Sequence, residues 1–244
     1  MKRILAVAVA LGLVLAVADG CALKEDPETG EWKIVGFFSW PMFYIYENTT
    51  FDQNRLWMPF TTGEPVADAT IVVTNNTTNE SATLTYYPPD EESTVGFYTV
   101  ETEFPHTAGQ EVSVSITIGD RTFTGGPTVT PDTDLTVTAP SYLAQVEQPF
   151  DLVWTESGES DASHVAISVY NWSTDPYVMQ AWTVPMTSTS EEITGYDPAA
   201  SYYFQVYALN RMAITGHGQT YYAWVGSTGY SSSTTVEIIE SAGR

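Results

Sequence analysis

Apolar and polar residues alternate along most of this chain with a period of two. In "EVSVSITI", Val112, Val114, Ile116 and Ile118 fall on one face, and Glu111, Ser113, Ser115 and Thr117 on the other. "DATIVVTN" sets Ala69, Ile71 and Val73 on one side, and "SHVAISVYN" does the same with Val165, Ile167 and Val169. Thr, Val, Tyr and Ile fill these runs, and clusters of Gly, Pro, Asn and Asp separate them. That is the pattern of short antiparallel strands. No long segment carries a 3.6-residue period. The aromatic stretch "WKIVGFFSWPMFYIYENTTF" reads as one or two further strands. The chain is therefore expected to be all-β.

The first twenty residues break this pattern. Lys2 and Arg3 precede an apolar run from Ile4 to Ala18. As a helix that run would span about 22 Å, short of the roughly 30 Å hydrocarbon core of a bilayer. It reads as an export signal and not as a membrane span. Ala16-Val17-Ala18 would suit ordinary signal cleavage. Gly20-Cys21 resembles the lipobox of bacterial lipoproteins, and this resemblance implies that Cys21 becomes the lipidated first residue; Asp19 departs from its pattern. Cys21 is also the only cysteine, so an internal disulfide is excluded. The acidic run "KEDPETGE" then reads as a tether. Stable anchoring needs more than one acyl chain.

A length of 244 residues leaves room for two sandwiches of about 100 residues each after such a signal. The stretch "GGPTVTPDTDLTVTAP" interrupts the strands near the middle. The expected division is residues 1–20 signal peptide, 21–32 tether, 33–133 a first sandwich and 134–244 a second, each side able to fold alone.

Two further resemblances concern the halves. "ITGYDPAASYYFQVYALN" resembles the E-to-F region of a fibronectin type III domain, through Tyr196, Pro198, Tyr202, Phe204, Val206, Ala208 and Asn210. "PFDLVWTES" resembles its B strand, with Trp154 as the core tryptophan. The resemblance implies a sandwich with Tyr202 at the tyrosine corner, and no particular activity. "TGEPVADATIVVTN" and "VGFYTV" resemble the opening and the Gly-x-Tyr strand of immunoglobulin-like or carboxypeptidase-regulatory-like modules. The expected fold is thus two tandem immunoglobulin-like and fibronectin type III-like β-sandwiches.

Charge narrows the partners. Formal net charge is −22, and removal of the signal leaves 29 acidic against 6 basic residues. Such a surface repels phosphate backbones, so nucleic acid is not an expected partner. The expected partners are a membrane, reached through the lipid, and a protein or glycan ligand.

Candidate chemistry is sparse. His106, His164 and His217 are far apart and lack metal-ligand spacing, and each is expected at a loop or strand surface. No G-x-S-x-G elbow, phosphate loop or dinucleotide fingerprint occurs. Calcium is the one ionic candidate: Asp132 and Asp134 stand at the domain junction, with further acidic loops in "TESGESDAS" and "YPPDEEST". No cofactor is otherwise expected. Five N-x-[ST] sequons occur, at Asn48, Asn75, Asn76, Asn79 and Asn171; in a Thr-rich chain some arise by chance, and in a bacterial source they would be unmodified loop residues.

The remaining candidate is a face. If Val165, Ile167 and Val169 point inward, Tyr170 and Trp172 point outward. If Tyr202, Phe204 and Val206 point inward, Tyr203 and Tyr207 point outward. Tyr222, Trp224 and Trp182 are expected to extend this row on flanking strands. An outward aromatic row suits a partner or a sugar ring, unless the first domain covers it. The sequence thus points to a non-catalytic envelope or surface lipoprotein with a binding or structural role. An accessory carbohydrate-binding subunit is the alternative, and a small catalytic sandwich a third.

Overall fold

The computed structural model describes residues 32–38, 41–47, 49, 63–89, 95–101, 104–139, 142–143, 149–158, 161–171, 179–193 and 201–238. The signal, Cys21 and the tether lie outside them. Seventeen strands and no helix occur in this set. In the first half they are β1 (Trp32–Phe37), β2 (Met42–Glu47), β3 (Glu64–Pro65), β4 (Thr70–Asn75), β5 (Glu80–Thr83), β6 (Thr85–Tyr87), β7 (Phe97–Thr99), β8 (Glu111–Ile118) and β9 (Arg121–Val129). The second half has β10 (Thr133–Thr138), β11 (Tyr142–Leu143), β12 (Phe150–Gly158), β13 (His164–Asn171), β14 (Met179–Pro185), β15 (Ser190–Ile193), β16 (Ser201–Gly216) and β17 (Gln219–Ile238).

The alternation seen in sequence places the cores. In β8 the burial pattern runs exposed or half-buried, then buried, four times over. Ile71 and Val73 of β4 are fully buried. In the second sandwich the sheet β10-β12-β15 faces the strands β14, β13, β16 and β17. Leu135, Val137, Leu152 and Trp154 from one side meet Val165, Ile167, Phe204 and Val206 from the other. Three strands facing four is the arrangement of a fibronectin type III-like sandwich. Trp154 fills its centre, 2 % exposed, and donates from Nε1 to the Ser188 carbonyl at 3.0 Å. Tyr202 is buried at the end of the same core; the turn preceding it lies outside the described residues.

The first sandwich is not closed by its own half of the chain. Its sheet order is β5-β4-β8-β9-β16-β17-β1-β2-β7-β6. The two ends of that order, β5 and β6, are one stretch of chain interrupted only at Leu84, whose N–H donates to the Ile71 carbonyl at 2.9 Å. The two ends of this order thus meet in one stretch of chain. Between β9 and β1 the sheet uses the far ends of β16 and β17. Met212, Ile214, Tyr221, Ala223 and Val225 lie in one cluster with Ile34, Phe43, Ile71, Val114 and Phe123. β16 and β17 are 16 and 20 residues long, about 50 and 65 Å of strand. They pass from one core into the other, and the register shifts between Tyr207 and Leu209 where they cross. His217 and Gly218, both at positive φ, turn the hairpin at its tip, as a two-residue type I′ loop requires.

The Gly-x-Tyr strand has a local task. The Tyr98 hydroxyl donates to the Val66 carbonyl at 2.6 Å and accepts the Ala69 N–H at 2.9 Å. It thus pins the "PVADA" loop to β7. Burial pushes this phenol up to about 12, and the Ala69 hydrogen bond pulls the other way. Gly96, two residues earlier, leaves room for the Tyr86 hydroxyl, which a Cβ there would meet at 2.5 Å.

Candidate functional site

The outer face of the second sandwich carries the aromatic row in part. Antiparallel pairing sets Tyr170 opposite Tyr203 and Ala166 opposite Tyr207, and such partners share a face. Tyr170 and Tyr203 are half-buried, and their rings meet at 5.9 Å and 55°. Further along the face, the Tyr207 hydroxyl hydrogen-bonds the Ser168 hydroxyl.

Beyond Tyr207 the face is covered. Ala166, Ala181 and Leu209 share a third cluster with Phe37, Tyr44, Tyr46, Val95 and Trp224. Small side chains on the second sandwich thus receive large ones from β1, β2 and β17. Ala166 and Ser168 are fully buried although they alternate with core residues. Trp224 is 8 % exposed and belongs to this cluster. Tyr222, two residues before it on the same face, is half-buried under the Arg211 guanidinium, 4.6 Å from its ring centre. Trp182 is a correction. It lies opposite Ile167 and packs on the inner core of the sandwich, so it is not part of the outer row. Trp172 lies outside the described residues.

One feature of the sequence signals the covered face. In β2, Phe43, Tyr44, Ile45 and Tyr46 are apolar at consecutive positions and all buried. A strand apolar on both sides has a layer on each. Phe43 and Ile45 point into the first core, and Tyr44 and Tyr46 into the junction. Burial holds the Tyr44 phenol well above its ordinary range.

His164 sits at the edge of this junction. Its ring meets Trp224 edge-to-face at 5.1 Å, and Nδ1 lies 2.9 Å from the Ser163 hydroxyl. Burial first, and the Arg211 guanidinium second, hold its pKa below the ordinary value. The unfolded chain therefore takes up this proton at a higher pH than the folded one does. Stability from the neutral ring is full above about pH 6.5 and is lost as pH falls through the folded value. The expected result is that His164→Gln loses less melting temperature than the parent between pH 7.5 and 5. Parallel acid limbs would show that His164 does not set this dependence.

The other histidines divide. His217 is exposed at the hairpin tip. His106 is not the surface residue expected. It is 4 % exposed, and its ring nitrogens lie 3.2 Å from the Phe104 carbonyl oxygen and 3.3 Å from that of Gly226. It ties a loop of the first half to the shared hairpin.

The acidic junction is organised around a residue outside the expected pair. The Asp161 carboxylate accepts the Asp132 N–H at 2.9 Å and the Thr133 hydroxyl at 2.9 Å. Asn210 donates to the Val129 and Asp161 carbonyls at 3.0 and 3.1 Å. Asp132 itself is exposed and Asp134 half-buried. Among the described residues, no three of His, Cys, Asp and Glu come together as metal ligands would.

No family model matches this chain, and no curated protein does. Among solved structures, a two-domain fibronectin type III segment of chicken tenascin is similar at 12 % identity, covering 80 % of this chain and 96 % of that one, with a TM-score of 0.27. The FN1–FN3 domains of chicken CNTN1 are similar at 15 % identity, covering 85 % and 68 %, with a TM-score of 0.25. Neither superposes closely as a whole, and the all-β sandwich fold rests on the strand pairing itself.

Proposed function

We propose that this chain is a non-catalytic binding or structural module of the cell envelope, exported and held to the membrane by lipid on Cys21. The Tyr170–Tyr203 pair is the contact point for its ligand. The supporting observation is the backing of that pair: half-buried rings on strands whose opposite faces are fully packed with Val169 and Phe204. Rigid aromatic side chains on a fixed sheet contribute contact area at low entropic cost. Their 55° inclination presents an angled surface and not a flat platform, which suits a protein side chain better than a sugar ring.

The carbohydrate reading has a different place to stand. Tyr87 is 38 % exposed, and its ring is parallel to that of Phe97 within 14°. Binding of residues 31–244 to the host's solubilised envelope proteins and to its immobilised polysaccharides separates the two. Tyr170→Ser with Tyr203→Ser should abolish protein capture while the chain still melts cooperatively. Loss of polysaccharide binding in Tyr87→Ser alone would favour the accessory subunit. If none of these variants changes binding, the face has no ligand role. Mass spectrometry of the native protein tests the anchor separately. A mature chain starting at acylated Cys21 is expected, and a free thiol there refutes it.

A further inference from the structure

Five of the seven asparagines in this chain are followed two positions later by Ser or Thr. Ser and Thr together fill 53 of 244 positions, so chance accounts for fewer than two of the seven. Three of these sequons crowd into "TNNTTNES", the turn between β4 and β5, and the fold treats them differently.

Asn75 is fully buried. Its Nδ2 donates to the Pro105 carbonyl at 3.0 Å and to Gln110 Oε1 at 2.8 Å, and its Oδ1 accepts the Thr77 and Thr78 N–H groups. Asn76 turns its Nδ2 into the protein, where it is buried with no partner among the described residues, while its Oδ1 accepts the Ser113 hydroxyl at 3.1 Å. A sugar on either nitrogen would have to occupy space already filled by protein. Asn79 is the opposite case. It is exposed at the tip, at φ 61°, and its side chain makes no hydrogen bond among the described residues. Asn tolerates that left-handed conformation where bulkier residues do not. The turn below it is held by the Asn75 bonds and by the Thr74–Ser81 hydroxyl pair at 2.9 Å, so the tip projects from a fixed base.

Against the expectation that all five sequons are unmodified loop residues, we infer that Asn79 is a glycan acceptor, and that Asn75 and Asn76 carry no sugar in the folded protein. The donor class is an oligosaccharide linked through phosphate to a membrane lipid. A bond forms between Asn79 Nδ2 and the anomeric carbon of the first sugar. The bond from that carbon to the lipid phosphate oxygen breaks, and its electron pair leaves with the phosphate. The displaced amide proton passes to a base of the transferase. No oxidation or reduction is involved. The product places a bulky, solvated group at the β4–β5 tip, without disturbing either core.

Glycopeptide mapping of the protein isolated from its own host tests this. The peptide spanning β4 and β5 should carry a glycan on Asn79, and both Asn79→Gln and Ser81→Ala should remove it. Asn79→Asp, which lacks the acceptor amide but tolerates the same left-handed backbone, should keep the parent melting temperature, which separates loss of a modification from loss of fold. A glycan mapped to Asn75 or Asn76, or the same peptide with no sugar on Asn79, overturns the assignment.

Discussion

A fragment of residues 31–133 should show no cooperative melting transition, whereas residues 31–244 should melt cooperatively. The fragment contains every strand of its own half and still lacks part of its core. Met212, Ile214, Tyr221, Ala223 and Val225 are buried among its residues and lie on β16 and β17. Truncating one large buried apolar side chain costs about 2–5 kcal/mol, and domains hold only about 5–15 kcal/mol in total. Removing four such residues together with Ala223 costs about 8–20 kcal/mol on that scale, as much as or more than such a total. It also exposes the backbone of β9 and β1, which pair with β16 and β17. Joining residues 209–226 to the fragment through a flexible linker should restore the transition. Circular dichroism during heating reads both outcomes. A cooperative melt in the bare fragment would show that the hairpin only decorates a core complete without it.

The second large effect is expected at the junction. Trp224→Ala should destabilise the chain by about 3–5 kcal/mol, the usual cost of an aromatic truncated in a core. For a unit of this size that is a fall of roughly 6–20 °C in melting temperature. The indole lies among Phe37, Tyr44, Ala166 and Leu209 and touches His164. Ala166 cannot expand into the space it leaves, and Phe37, Tyr44 and Leu209 sit on strands whose positions are fixed by pairing. Tyr203→Ser, at a half-buried position of the same face, should shift the transition far less. Equal shifts for both variants would mean that the buried and half-buried parts of the face are not different, and the division drawn between them would fail.

The strand faces were legible wherever one side of a strand meets solvent. Val112 to Ile118 alternate in sequence and in burial alike. The crossing of the hairpin was not. Beyond Asn210 the alternation simply continues through Met212 and Ile214, with the same side inward. The local mark is slight: Leu209 is buried out of phase and the polar Asn210 stands at an inward position. Length was the available signal, since strands usually run about 5–6 residues. The covered face was hidden for a related reason. Ala166 and Ser168 look like an outward pair beside Val165 and Ile167, and only the two-sided apolar run in β2 indicates a layer above them. Trp182 was misplaced because its facing depends on the register of β14 against β13, which sequence does not state. Asp161 was legible as part of the acidic loop "TESGESDAS" but not as the acceptor of the Asp132 N–H and Thr133 hydroxyl, because an acidic loop residue reads as solvated until the groups it accepts from are known.

The direction of β1 has a mechanical meaning. It runs parallel to β17, with Val35, Gly36 and Phe37 beside Tyr222, Ala223 and Trp224, and Phe38 N–H extends the ladder to the Trp224 carbonyl at 2.9 Å. The short β11 joins β17 in the same sense near its far end. If the chain is tethered ahead of β1 and loaded at the end of β17, tension draws these two strands in opposite directions along their length. The ladder bonds then lie across the pull and share it, so they must yield together and not one by one from an end. A tug on such a tether would meet its resistance in β17, whose ladder with β16 runs along both sandwiches.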